Sequence, residues 1–187
     1  PVLRLLLALG ASGNSTADGT QLLVETAEQE GHSDLAPWLV ECAGWNRMQH
    51  ACEARSEDVV RCLLRDESLA ATSSRGALLG AVGERGWTAL DIACAGPEES
   101  RLGPLVLPVS ESLVGVVRRA GQPWSPLNHD LWPASFRRGV RLMLLVSRCL
   151  GQGEWRAQGR PESRVPKAVW LYVLSFASWS WFPTGDA

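Results

Sequence analysis

The sequence predicts an all-α fold, a helical-repeat solenoid closed by a C-terminal helical cap. Three observations carry this expectation. A nine-residue pattern occurs twice, as "GWNRMQHAC" at residues 44–52 and as "GWTALDIAC" at residues 86–94, 42 residues apart. Stretches with apolar residues at helical spacing, punctuated by glycine, flank both copies. The last third of the chain holds two long apolar segments, each opened near a proline. The expected organisation is a repeat region over residues 1–120 and a helical module over residues 121–187.

In chain order, "VLRLLLALGAS" is a helix ended by Gly10, and the shortness of its apolar run and its place as the second helix of a repeat unit favour a repeat helix over a secretory leader. Gly31 breaks the next helix, and Leu35, Ala36, Trp38 and Leu39 form the apolar stripe of another. After the first copy, "EARSEDVVRCLLRDE" places Val59, Val60, Leu63 and Leu64 on one face, with Arg61, Arg65 and acidic residues on the other. In the second copy, Thr88 followed three residues later by Asp91 sets a hydroxyl at a helix N-cap and a carboxylate in the first turn, so Asp91 reads as a structural acid. The small residues Ala51, Cys52, Ala93 and Cys94 allow close approach of neighbouring helices.

These residues resemble the ankyrin repeat, a unit of about 33 residues whose helix pair opens on a T-P-L-H-x-A signature. "TALDIA" (residues 88–93) matches it closely, "NRMQHA" (46–51) more loosely, and "LLVETA" (22–27) least. The resemblance covers roughly residues 1–105 and implies a stack of about three helix pairs. The spacing is irregular: Ala27 to Ala51 is 24 residues and Ala51 to Ala93 is 42, so one inter-repeat hairpin is shortened and that at residues 68–85 is enlarged. The array also opens in mid-unit, as a fragment of a longer array does.

Residues 86–120 form a degenerate last repeat, with "SLVGVVRRAG" as a short helix ended by Gly121. "QPWSPLNHDLWP" reads as a loop carrying Trp124 and Trp132. "PASFRRGVRLMLLVSRCLG" (133–151) is a helix with Arg137, Arg141 and Arg148 within about 40° of one another, opposite Val140, Met143 and Leu144. "VPKAVWLYVLSFASWSWFP" (165–183) is apolar nearly all round and is expected to be buried against it. This tail is similar to the helical tails of algal ankyrin-containing proteins. Its last segment also resembles an F-box or SOCS-box helix, which implies an alternative role as the substrate-recognition subunit of a ubiquitin ligase.

Composition narrows the function. A chain that is 45% hydrophobic and 20% charged, with net charge -2, is ordinary globular protein and not a general nucleic-acid binder. No run of about 20 apolar residues predicts a membrane span. Cys42, Cys52, Cys62, Cys94 and Cys149 form no C-x-x-C pair and read as buried thiols of a reducing, intracellular, cytoplasmic protein. Their spacing, with His50 nearby, matches no metal-ligand pattern. His32, His50 and His129 have no nucleophile in a recognisable setting, and phosphate-binding loops are absent. The expectation is a protein without catalysis or cofactor that binds a protein partner; a structural subunit of a larger assembly is a further alternative.

The ankyrin resemblance places Trp45 and Trp87 toward the concave, partner-facing side. Tryptophan is enriched at binding hot spots. The candidate contact residues are therefore Trp45, Arg47, Gln49 and Trp87, together with Trp179 and Trp181 near the Trp-rich end. The competing reading is that Trp45 and Trp87 pack beneath the hairpin of residues 68–85.

Overall fold

A computed structural model describes residues 2–11, 17–83, 86–95, 109–150 and 166–176. Its helices are α1 (Val2–Ala8), α2 (Ala17–Gln29), α3 (Ala36–Glu41), α4 (Arg47–Glu53), α5 (Glu57–Arg65), α6 (Glu67–Thr72), α7 (Arg75–Gly80), α8 (Ala89–Cys94), α9 (Glu111–Ala120), α10 (Ala134–Leu150) and α11 (Lys167–Ser175), with a 3-10 turn at Pro126–Leu131. Among the described residues there is no strand, and the fold is all-α. The chain forms two compact units: Pro1–Leu63 with Gly76–Gly121, and Leu64–Arg75 with Gln122–Ala187. Residues 64–75, counted with the repeats by sequence, thus join the C-terminal unit.

In the first unit the two copies of the repeated pattern form α4 and α8, each opened by a capping box. At α4 the Asn46 side chain accepts from the Gln49 N–H at 2.9 Å while the Gln49 side chain accepts from the Asn46 N–H at 2.8 Å. At α8 Thr88 and Asp91 do the same, the Asp91 carboxylate accepting from the Thr88 N–H at 2.8 Å. Helices of six or seven residues are too short to persist alone, so these caps and lateral packing must hold them. Met48, Ala51 and Cys52 on α4 and Ala89, Ile92 and Ala93 on α8 are buried. Cys94, by contrast, is exposed, as is Cys62; both lie on the outward faces of their helices, so only Cys42 and Cys52 of the described cysteines are buried thiols.

Side chains from α4 fix the direction of its neighbours. Arg47 at its start donates to the carbonyls of Ala8 and Leu9 at the end of α1, both at 3.1 Å, while Glu53 at its end meets Arg4 of α1 at 2.9 Å. The two helices are therefore antiparallel. Gln49 near the start of α4 donates to the Trp87 carbonyl at 2.7 Å, and Arg55 beyond its end donates to the carbonyls of Ile92, Ala93 and Ala95 at 2.9, 2.6 and 2.5 Å. α4 and α8 are therefore parallel. α9 packs on α8, its Leu113, Val114, Val116 and Val117 are buried, and its Ser112 hydroxyl bonds Glu57 of α5. α2 and α3 enclose a cluster of Val24, Ala36, Trp38, Leu39 and Cys42. The enlarged hairpin is itself folded: α6, capped by Asp66, and α7 occupy it.

The end of α4 breaks a rule that its neighbours keep. α1 and α2 close in the two-bond turn that needs a left-handed residue, supplied by Gly10 (φ 98°) and Gly31 (φ 80°). α4 closes in the same turn, with Ser56 N–H donating to Ala51 and Arg55 N–H to Cys52, but the left-handed residue is Arg55 (φ 55°). Such a conformation costs a non-glycine residue about 1 kcal/mol or more. The guanidinium bonds to α8 offset it.

In the second unit the Trp/Pro segment, expected as a loop, is ordered. Asn128 is buried; its oxygen accepts from the Ser125 N–H at 2.7 Å and the Trp132 indole at 3.3 Å, and its amide donates to Pro123 at 2.9 Å. That satisfies the turn from within and lets Trp124 and Trp132 be buried with Leu131, Phe136 and Val140. Arg75 lies over the Trp132 ring at 4.4 Å, and Glu67 accepts from the Ser135 N–H at the start of α10, at 2.8 Å. α11 packs on α10 but is not enclosed: Leu174 is buried, whereas Val169, Tyr172, Val173 and Phe176 are exposed. The expectation of a wholly buried last helix is corrected, because packing on α10 covers one face of α11 only.

The Arg55 bridge sets a measurable contrast. Arg55→Ala keeps the left-handed strain and loses the bonds, and should cost roughly 3 kcal/mol in urea unfolding, given about 1.5–3 kcal/mol for bonds to charged donors. Arg55→Gly relieves the strain as well and should cost about 1 kcal/mol less than Arg55→Ala. An Arg55→Gly protein as stable as the native one would show that the bridge contributes nothing beyond its strain.

Candidate functional site

The sequence-predicted contact residues of the repeats converge on the start of α4, and the structure gives them different employments. Arg47 is half-buried and spends its Nε and Nη2 on α1. Gln49 is 1% exposed, and its amide nitrogen also donates to the Ala81 carbonyl at 3.2 Å. With the Asn46 amide donating to Leu78 at 2.9 Å, this helix start binds the backbone of α1, α7 and the turn before α8 at once. Gln49 is therefore an internal staple, a buried amide whose oxygen and nitrogen are both engaged within the chain.

Trp45 and Trp87 are both half-buried. The Trp45 ring packs on the α2–α3 cluster and tilts against the His50 imidazole, with centroids 5.6 Å apart. A Cβ placed on Gly83 would stand 2.7 Å from Trp45 Cδ1, so Gly83 lies directly on the indole. Only glycine fits there. Trp87 takes part through its carbonyl, which receives Gln49 and the Gly83 N–H. Trp179 and Trp181 lie outside the described residues.

Beneath this surface sits a set of charged groups that sequence reasoning missed. Glu53 and Arg4 are nearly fully buried, the Trp38 indole donates to Glu53 Oε1 at 3.3 Å, and the Arg4 guanidinium lies 5.6 Å from the Trp38 ring centre. Glu53 Oε2 is buried without a hydrogen-bond partner. Burial pushes the Glu53 carboxyl up, opposed by Arg4 and the Trp38 bond. The signal available in the sequence was an arginine on an otherwise apolar α1 and a glutamate seven residues from a capped helix start, which pair only once α1 is known to be antiparallel to α4.

The titrating groups nearby are tuned by burial as well. The His50 imidazole, 7% exposed and with Nδ1 lacking a partner, is pushed down from 6.5 to about 4 by desolvation. At neutral pH it is uncharged and a weak base. Desolvation pushes the Cys42 and Cys52 thiols up to about 12, so both stay protonated. Among the described residues no group of three His, Cys, Asp or Glu side chains is arranged to hold a metal ion. What this site can do is hold an indole pair and an arginine in fixed relation on a braced helix start.

Comparison with family models, with curated proteins and with solved structures yields no match.

His50 makes stability pH-dependent with a definite sign. Its folded value lies below its unfolded one, so the unfolded chain takes up the proton first and stability is lost as pH falls from 6.5 toward 4. The loss should reach about 3 kcal/mol, because each tenfold difference in proton affinity between the folded and unfolded chain is worth about 1.36 kcal/mol. Glu53, raised on folding, acts in the opposite sense. The difference between native protein and His50→Gln, by urea unfolding at pH 7, 6, 5 and 4.5, isolates the histidine, and the variant should lose less stability on acidification.

Proposed function

We propose that this chain is a non-catalytic recognition scaffold whose ankyrin-like helix pairs present a rigid surface to a protein partner. The observation that carries the reading is the equivalence of α4 and α8: the same nine-residue pattern, the same capping box, parallel axes, and side chains of one helix bonded to the backbone of the other. A stack built this way loses little freedom on binding, so contact energy is not spent on ordering the scaffold. The mechanism is shape and aromatic contact without a cofactor.

Trp87 is the residue on which the proposal rests most directly. Trp45 is half committed to the α2–α3 cluster, and Arg47 to α1, so substitution of either disturbs the scaffold together with its surface. Trp87 is half-buried like Trp45, but its bond from Gln49 is received by the backbone carbonyl, so a change of the ring leaves that bond in place.

A partner captured from extract by the immobilised native chain should be lost, by about 30-fold or more in affinity, on Trp87→Ala, as for a tryptophan hot spot worth about 2 kcal/mol or more. The variant should keep the native far-UV spectrum at the temperature of the binding assay, so that the loss reports the surface and not unfolding. A Trp87→Ala protein that binds as well as the native chain would remove this face from the reading.

A further inference from the structure

We propose that the α10–α11 pair is a peripheral docking surface for an anionic lipid bilayer. α10 carries Arg137, Arg138, Arg141 and Arg148, and neither α10 nor α11 contains an Asp or Glu. Cations without a counter-charge on the same helices stand out in a chain whose net charge is -2; the carboxylate of Glu67 meets α10 at its start, at the Ser135 N–H. The apolar residues are on the outside too. On α10, Phe136 and Val140 are buried, whereas Leu142, Leu145 and Val146 are 62%, 60% and 51% exposed. At about 100° per residue these three fall on the half of the helix that also bears Arg138, Arg141 and Arg148. On α11, Val169, Tyr172, Val173 and Phe176 follow the i, i+3, i+4, i+7 rule opposite buried Leu174.

Apolar side chains mixed with arginine and bordered by Tyr and Phe match the boundary of a bilayer, where the chains enter the acyl region and the cations meet anionic headgroups. A nucleic acid would meet the arginines but leave the leucine and valine side chains uncovered. Insertion across the bilayer is not required and does not fit: no helix among the described residues is long and apolar enough to span it. α10 lies along the surface, its 17 residues extending about 25 Å. The inference is independent of the recognition face on α4 and α8.

Vesicle sedimentation with the full chain tests it. Vesicles of phosphatidylcholine with about 30% phosphatidylserine should retain the protein, phosphatidylcholine alone should retain far less, and salt of about 0.5 M should release it. Arg141→Glu with Arg148→Glu, and separately Leu145→Asp with Phe176→Asp, should each weaken retention at least about tenfold, with the native far-UV spectrum and melting temperature kept. The proposal is overturned if anionic vesicles retain no protein, or if well-folded variants bind as the native chain does. It is equally overturned if the stripe is occupied by protein instead: a dimer in sedimentation velocity that Phe176→Asp dissociates, or a stoichiometric ubiquitin-ligase adaptor lost in the same variants.

Discussion

The first unit depends on one constraint: α1, α4, α7 and α8 are too short to satisfy their own ends. A helix of six or seven residues leaves most of its terminal N–H and C=O groups without an internal partner. Here the N–H groups are met locally, by Asn46 with Gln49 and by Thr88 with Asp91. The carbonyls are met at a distance, those of α1 by Arg47, those of α7 and its exit by Asn46 and Gln49, and those of α8 by Arg55. The ends of α1, α7 and α8 are thus each met by a side chain on or beside α4. Direction, order and spacing of the neighbours follow from where those four side chains stand.

The same arrangement explains why charge is tolerated inside. Taking an arginine and a glutamate out of water costs several kcal/mol each and is offset only where geometry and further bonds are good. Arg4 and Glu53 meet at 2.9 Å, beside an indole that both donates to the carboxylate and lies near the guanidinium. The pair also selects the antiparallel alignment of α1 over a parallel one, in which Arg4 would lie near the start of α4 and leave Glu53 without it.

Much of this was legible in the sequence, for physical reasons that differ by element. Local chemistry was readable: Thr88 and Asp91 make the cap that their spacing implies, Gly10 ends α1, and α3, α5, α9 and α10 form where apolar periodicity puts them. What escaped were long-range polar bonds and the covering of faces. Gln49 has the appearance of a surface residue, and only the positions of Ala81 and Trp87 make it internal. The Trp124–Trp132 segment is rich in proline and reads as a loop, yet Asn128 supplies the turn's hydrogen bonds from its side chain. The apolar run of α11 announces burial, but a run that is apolar all round does not say how many neighbours it has.

Arg55 ties the unfolding of one helix end to that of another. Its left-handed backbone belongs to the end of α4, whereas the groups that reward it belong to the end of α8. If α8 were to open alone, Arg55 would keep its strain with nothing to set against it, and the closing turn of α4 would loosen. If α4 were to fray alone, the last carbonyls of α8 would lose their donors. Neither end has a stable half-open state. A glycine at position 55 would make α4 easier to form and would remove one of the links, beside the Gln49 bond, through which the two helices open together.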